Sequence, residues 1–357
     1  MQNIFQDLKR REQQGLPVRV GIVGAGFMGA GSLRQISRVP GMVAPIVANR
    51  TLSRAVDAFI AAGVARADIV TTDDVDTARK AVERGRCVAT SRLDLPAFIP
   101  SLDVVMETTG NVVAGTDVTL KALRQGKHVV AANLEVQGTV GPILKARADA
   151  AGVVYTDCDG DQPGIIMNLH AYCAGLGLEP LVAGNCKGVL KRYATPETQA
   201  AFAREYGISA TIATSAADGT KINLEMAAVA NATGMLPLRT GMLGLQTRLE
   251  TLLDDCRGAG LLDGPPAVEY TLGIPSGVFI IARTDDPSLQ RDFRYLKMGD
   301  GPEYIFYESR VVCHFDAPVT IAKAALYGAA TVTPRGRPVA EVIALAKRPL
   351  EAGTRLD

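Results

Sequence analysis

The sequence predicts an α/β fold: a doubly wound parallel sheet with helices on both faces, followed by a second, α+β domain. Three observations predict it. The apolar strand Val18-Arg-Val-Gly-Ile-Val23 runs straight into a glycine-rich turn, Gly24-Ala-Gly-Phe-Met-Gly29, that opens a helix. Short apolar runs then alternate with helical patterns up to about residue 160, the βαβ rhythm of a parallel sheet. Beyond that point apolar–polar alternation is mixed with helices, which suits a more open sheet. The first half therefore reads as a Rossmann-type domain.

In chain order, the first strand ends at Val23 and its helix starts at Phe27; a second strand covers Val43–Ala48, with a helix from Ser53. Ile69-Val70 and a helix near Asp76–Arg84 follow, and the stretch Asp73–Ser101 reads as an inserted helix and short strand. The next strand, within Leu102–Gly110, leads to a helix over Thr116–Gln125, a strand over His128–Ala132, another helix, and a strand over Val153–Thr156. In the second half, alternation marks Leu181–Gly184, Ser209–Thr214, Ser276–Ala282 and Arg310–Phe315, with helices over Gly219–Ala232 and Ile321–Tyr327. The expected division is 1–160 for the dinucleotide-binding domain, 161–333 for a catalytic and oligomerisation domain, and 334–357 for a tail.

With 357 residues, 47% of them hydrophobic, the chain can bury two cores. Lys and Arg number 38 against 37 Asp and Glu, and no basic stripe interleaves with aromatics, so nucleic acid is an unsuitable partner. The amphipathic, charged start lacks an apolar signal core, and no run is long enough to span a bilayer. A cytoplasmic homo-oligomer is expected. Six cysteines, Cys87, Cys158, Cys173, Cys186, Cys256 and Cys313, are scattered without metal-site spacing, which predicts reduced thiols.

In a strand–turn–helix unit of this kind Gly24 makes the tight turn, Gly26 lets backbone approach a pyrophosphate and Gly29 lets helix pack on strand, with Phe27 and Met28 opening the helix. The phosphates then meet the partly positive helix N-terminus. At the end of the second strand stands Asn49-Arg50-Thr51 instead of an acid for a ribose 2′-hydroxyl. Arg50 can form a charge-assisted bond to a 2′-phosphate, which points to NADPH. Glu107-Thr108-Thr109-Gly110 and Asn133 follow later strands and so belong at the carboxyl edge beside the cofactor.

Several positions can carry chemistry. Asn185-Cys-Lys187 ends an apolar strand, where a Lys can polarise a carbonyl or donate a proton to a forming alkoxide. Lys221 and Glu225 are spaced i,i+4 with Asp218 at the cap, either a charge-paired surface helix or a catalytic rim. Asp157, Asp159 and Asp161 alternate after a strand; as an extended segment they would converge on Mg²⁺ or Mn²⁺, with Asp159 and Asp161 as the ligands, and as a turn they would bond their own backbone. His128 and His170 read as structural, and His314 as the histidine that reaches the cleft. The candidate lining is Lys, Asn, Asp and Thr, with no Trp and 5% aromatics in the chain, which favours a small, anionic, oxygen-rich carbonyl compound.

GIVGAGFMG, METTGN and KHVVAANLEVQGTVGPIL resemble the homoserine dehydrogenase superfamily. Where that family has an Asn-Lys pair, this chain has Asn133 followed by Leu134 and Glu135. VANRT, DGDQPG, GNCKG, ADGTKINLEMA, HFDAPVTIAKAALYG and the trailing AKRPLEAGTRLD are more similar to the 1-deoxy-D-xylulose 5-phosphate reductoisomerase-like oxidoreductases, the last string resembling the start of a SAF domain. The resemblance implies NADPH-dependent conversion of 1-deoxy-D-xylulose 5-phosphate to 2-C-methyl-D-erythritol 4-phosphate in isoprenoid precursor synthesis, with Lys187 and Lys221 on phosphate or carbonyl. The alternatives are an NADP-dependent dehydrogenase of a sugar acid or polyol and, in a different class, a non-catalytic NADP-binding sensor.

Overall fold

The structure, a computed structural model, describes residues 2–355. Met1 and the last two residues of the SAF-like string, Leu356 and Asp357, lie outside them. After α1 (Gln2–Gln13) the chain alternates through β1 (Val18–Val23), α2 (Phe27–Ile36), β2 (Met42–Ala48), α3 (Leu52–Ala61), β3 (Ile69–Thr71), α4 (Val75–Glu83), β4 (Cys87–Thr90), β5 (Val104–Glu107), α5 (Val112–Arg124), β6 (His128–Ala131), α6 (Leu134–Ala151) and β7 (Tyr155–Asp157). These seven strands form one parallel sheet in the order β3-β4-β2-β1-β5-β6-β7. The order reverses at β1, so the β1–α2 turn opens the crevice where ligands bind in such sheets. Val20, Ile22, Val104 and Met106 are fully buried, each worth about 1.5–3 kcal/mol of transfer free energy.

The stretch read as an inserted helix and short strand holds α4 and β4, and β4 widens the sheet by pairing with β2 and with the edge strand β3. Its helix α4 begins where the Asp74 carboxylate accepts the Thr77 N–H, an N-cap that answers one unpaired donor.

The second half continues with α7 (Gln162–Gly175), β8 (Glu179–Lys187), α8 (Pro196–Tyr206), α9 (Ala210–Asp218), α10 (Thr220–Thr233), β9 (Leu245–Gln246), α11 (Leu252–Gly258), β10 (Ala267–Leu272), β11 (Val278–Arg283), α12 (Pro287–Tyr295), β12 (Glu303–Glu308) and α13 (Ala317–Tyr327). A five-stranded mixed sheet runs β12-β11-β8-β10-β9. Ile166, Val229 and Met226 cover one face against Ala183, Val268 and Ile280.

Three expectations are corrected here. Ser209–Thr214 is helical: Ser209 Oγ accepts the Ile212 N–H and starts α9, a local bond that outweighs the short alternation. Arg310–Phe315 is not a strand but a crossing loop, bridged at Cys313 to Gly160 and ending in a turn over His314–Asp316. The second domain also does not extend to residue 333. Ala317, Ile321, Ala322 and Ala324 of α13 are buried with Leu8, Leu33 and Ile36, so the chain returns to the first sheet for its last helix.

The two halves meet along α6 and α10. Gly138 lies so close to Leu224 that a Cβ would stand 2.4 Å from its Cδ2, and Leu134, Leu224, Ala228 and Val332 share a core. This contact brings the start of α10 to the carboxyl edge of the parallel sheet. The tail, 334–355, crosses α10: Asn231 Oδ1 accepts the Val339 N–H at 2.7 Å and its Nδ2 donates to the Ala340 carbonyl at 3.0 Å.

Candidate active site

The dinucleotide turn has the shape its glycines imply. Gly24 adopts φ +101°, and a Cβ there would lie 2.6 Å from the Thr108 carbonyl oxygen. At Gly29 a Cβ would lie 1.9 Å from the Gly24 oxygen. Gly26, in contrast, is exposed and faces open space. No side chain caps α2, so its leading N–H groups remain for an anion. Thr108 Oγ1 donates to the Val23 and Gly24 carbonyls at 2.9 and 3.0 Å, pinning the turn to β5. These residues fit a dinucleotide pyrophosphate.

Asn49 has a different role from the one expected. Its Oδ1 accepts the Ala25 N–H at 3.0 Å and its Nδ2 donates to the Thr51 carbonyl at 2.9 Å, so it ties β2 to the turn, while Arg50 and Thr51 beside it are exposed. Phe27 meets His314 edge-on, with ring centroids 5.3 Å apart, while Met28 is half-buried. On the other side of the crevice, Asn133 is buried, caps α6 and donates to Thr109 Oγ1 at 3.3 Å. Glu107 accepts the Thr109 N–H at 2.7 Å, and burial raises its pKa. Gly110 is exposed at φ +63°, with Ile212 of α9 the neighbour nearest its missing Cβ.

Against this crevice α10 places an ion-paired cluster. Lys221 Nζ lies 3.2 Å from Glu225 Oε1 and 3.6 Å from Asp161 Oδ1. Asn185 Nδ2, from β8, donates to Glu225 Oε2 at 2.6 Å. Turning the Gln162 amide so that its nitrogen faces the carboxylates adds a bond to Glu225 Oε1 at 3.2 Å. Burial pushes Glu225 up to about 7 despite Lys221, whereas Asp161 raises the Lys221 pKa against its own burial. A cation thus stands beside a carboxyl that can hold or release a proton near neutrality. Lys187 is lowered by burial, with Glu225 acting against it, and its ammonium donates to the Ala216 carbonyl.

Sequence reasoning placed Asn185, Lys221 and Glu225 as candidates, and the structure brings them together with Lys187 beside them. It missed Gln162 and Cys313, whose Sγ is 4.0 Å from Asp161 Oδ1; only the DGDQPG string pointed to Gln162. Asp218 is not in the cluster. Its Oδ2 pairs with Lys347 of the tail at 2.5 Å; burial opposes ionisation, but bonds from Lys347 and Thr220 hold its pKa below the ordinary range.

The acidic trio does not converge. Asp157 ends β7, its carboxyl buried and without a hydrogen-bond partner, and burial raises its pKa strongly. Asp159 accepts from Lys323 Nζ at 2.7 Å, Asn168 Nδ2 at 2.8 Å, Thr331 Oγ1 at 2.7 Å and Thr320 Oγ1 at 3.0 Å. Asp161 caps α7 and faces Lys221. With an ammonium group already against Asp159 and another against Asp161, the pair does not fit a divalent cation, and among the described residues no three His, Cys, Asp or Glu are grouped to hold a metal. The chain bends because Gly160 pairs with Cys313, which breaks the extended segment that convergence required. His314 is buried against Gly31 of α2, with Nδ1 unpartnered; it lies on the cofactor side of the crevice, while neighbouring Cys313 lies at the cluster. His128 Nδ1 accepts the Val154 N–H at 3.0 Å.

Residues 160–317, less than half of the chain, match the family model described as the catalytic domain of oxidoreductase DRL. The matched span contains the Lys221 cluster, and the dinucleotide turn precedes it. The matched span marks the chain as holding an oxidoreductase catalytic domain. It is similar, at 17% identity and a TM-score of 0.45, to 1-deoxy-D-xylulose 5-phosphate reductoisomerase from Zymomonas mobilis in complex with NADPH, over 86% of this chain and 80% of that one. It is likewise similar to a homoserine dehydrogenase from Thiobacillus denitrificans, at 16% identity and a TM-score of 0.45 over 87% of this chain and 73% of that one. Against an NAD binding oxidoreductase from Klebsiella pneumoniae the identity is 17% and the TM-score 0.34, over 49% of this chain and less than half, 43%, of that one. No curated protein matches the chain. Among the described residues no helix is long and apolar enough to cross a membrane.

Proposed function

We propose that this oxidoreductase uses NADP(H) to transfer hydride at a carbonyl carbon of a small, anionic, oxygen-rich substrate, with the Lys221–Glu225–Asp161 cluster managing the proton. The observation that carries the reading is the Lys221–Glu225 contact at 3.2 Å, held by Asn185 and set against the dinucleotide crevice. The bound nicotinamide supplies or accepts the hydride. Lys221, kept cationic by Asp161, donates a hydrogen bond to the substrate oxygen and a proton as negative charge builds there. Glu225, raised to about 7, returns that proton to Lys221. Lys187 adds a second positive charge for the anionic group of the substrate.

The specific substrate we put first is 1-deoxy-D-xylulose 5-phosphate, converted to 2-C-methyl-D-erythritol 4-phosphate. The resemblance of the GNCKG and ADGTKINLEMA strings and the two neighbouring lysines support it. Oxidation of a sugar acid or polyol is the second reading. It is favoured by the acidic trio, whose misfit to a divalent cation leaves Lys221 and Glu225 to handle the proton unaided.

The test follows reduced-nicotinamide absorbance with the ketose phosphate, with and without Mg²⁺ or Mn²⁺, beside sugar acids and polyols run with NADP. Turnover of the ketose phosphate is expected. Silence there with activity on an unphosphorylated sugar acid overturns the first substrate in favour of the second, and binding without hydride transfer to any compound leaves a sensor.

A further inference from the structure

The segment Asp73–Ser101 has no part in the chemistry above, yet it delivers a guanidinium to the cofactor edge. The end of β4 is locked to the end of β2, because the Asn49 N–H donates to the Thr90 carbonyl at 2.9 Å. The residues after Thr90 therefore stand beside Asn49 and Arg50, at the carboxyl edge of the same sheet, on the far side of β2 from the pyrophosphate turn.

The Thr90–Arg92 turn is held by a single carboxylate. The Asp73 carboxylate accepts from Thr90 Oγ1 at 2.6 Å, Ser91 Oγ at 2.5 Å, the Ser91 N–H at 2.8 Å and the Arg92 N–H at 3.2 Å. These donors, the Ser91 hydroxyl foremost, lower Asp73 to about 2, so it is ionised at any working pH. Arg92 is fixed in turn. Its Nε donates to Asp94 at 2.8 Å, and its guanidinium lies over the Phe98 ring, 5.5 Å from the centroid. Phe98 covers one face of a flat, cationic plate, and Arg92 is exposed overall. A guanidinium backed in this way offers its other face for stacking on an aromatic ring.

We propose that Arg92 is the adenine platform of the cofactor site and that Asp73 is its positioning residue, acting through the Thr90–Arg92 turn. The inference rests on a dinucleotide occupying the Gly24–Gly29 turn. It is independent of Arg50, which would act on the 2′-phosphate. The ring recognised is a purine attached to a ribose phosphate, so 5′-AMP suffices as a probe.

The experiment measures dissociation constants of the full chain for NADPH, NADH and 5′-AMP by titration calorimetry, for the parent, Arg92→Met, Arg92→Lys, Asp73→Asn and the double variant Asp73→Asn with Arg92→Met. Arg92→Met and Arg92→Lys are both expected to weaken all three ligands by roughly tenfold, about 1.4 kcal/mol, because lysine keeps the charge and loses the plane. Asp73→Asn is expected to weaken them several-fold in the parent and by less than twofold in the Arg92→Met background, since a residue acting through Arg92 has nothing left to position. Full affinity in Arg92→Lys, or an undiminished Asp73→Asn effect without Arg92, overturns the inference and leaves the dinucleotide reading standing. A parent chain that binds neither NADPH nor NADH overturns both.

Discussion

Lys221 and Glu225 stand one turn apart on α10 and form an ion pair of 3.2 Å in which the carboxylate is buried and the ammonium faces a second carboxylate, Asp161, at 3.6 Å. The asymmetry decides the protonation states. With two acids for one base, the proton vacancy near neutrality belongs to Glu225, raised by burial to about 7, and not to Lys221, which Asp161 holds in its charged form.

The first prediction is kinetic. In the direction of carbonyl reduction the cluster must deliver a proton, so turnover should fall as pH rises through about 7, where Glu225 ionises. Glu225→Gln should remove that step from the profile. Lys221→Met should lower turnover by about 10²-fold or more at every pH, with cofactor affinity near that of the parent. A parent-like pH profile in Glu225→Gln would show that another group controls the proton.

The same residue predicts how stability depends on pH. The folded chain binds the Glu225 proton more tightly than the unfolded chain, because burial raises its pKa above the ordinary 4.5. The resulting contribution is complete below about 4.5 and is lost as pH rises through about 7. Urea midpoints of the parent should therefore decline across this window more steeply than those of Glu225→Gln. Parallel slopes would refute the burial argument.

Much of the parallel sheet was legible because its strands are buried on both faces and read as plain apolar runs, as in Val18–Val23 and Val104–Glu107. The glycine turn was legible for a steric reason: positions 24 and 29 leave no room for a Cβ. The cluster was half legible. The i,i+4 spacing of Lys221 and Glu225 is visible in sequence, but the approach of Asp161 across some sixty residues depends on how α10 packs on α6, which local pattern does not encode. Asp218 shows the limit of local reading. Its cap position suggested the rim, while its partner Lys347 lies in a tail without helix or strand among the described residues. Ser209–Thr214 failed because Thr211, Ile212 and Thr214 are β-branched, yet one serine hydroxyl bond starts a helix.

Cofactor preference is predicted from a single exposed side chain. Asn49 is committed to Ala25 and Thr51, so the proposed reading leaves Arg50 to discriminate for a 2′-phosphate. NADPH should bind at least roughly tenfold more tightly than NADH, about 1.4 kcal/mol. Arg50→Ala should abolish that margin while NADH binding is retained. Equal affinity of the parent for the two cofactors would remove the argument.

The last prediction concerns the joint between the two halves. Asp159 is buried, and its oxygens are taken up by Lys323 of α13, Asn168 of α7 and the hydroxyls of Thr320 and Thr331. α13 packs on the first sheet and α7 on the second, so this one carboxylate joins elements of both. Removing the ammonium alone leaves a buried charge with only neutral donors, a change that typically costs about 3–5 kcal/mol. At roughly 2–4 °C per kcal/mol for domains of 150–250 residues, Lys323→Met should lower the melting temperature by on the order of ten degrees. The loss belongs to the stranded charge and not to the missing lysine stem. Lys323→Met combined with Asp159→Asn should therefore recover part of it, the amide still accepting from Thr320 and Thr331. A double variant no more stable than Lys323→Met alone would mean that packing of the lysine stem, and not the Asp159 charge, holds the joint.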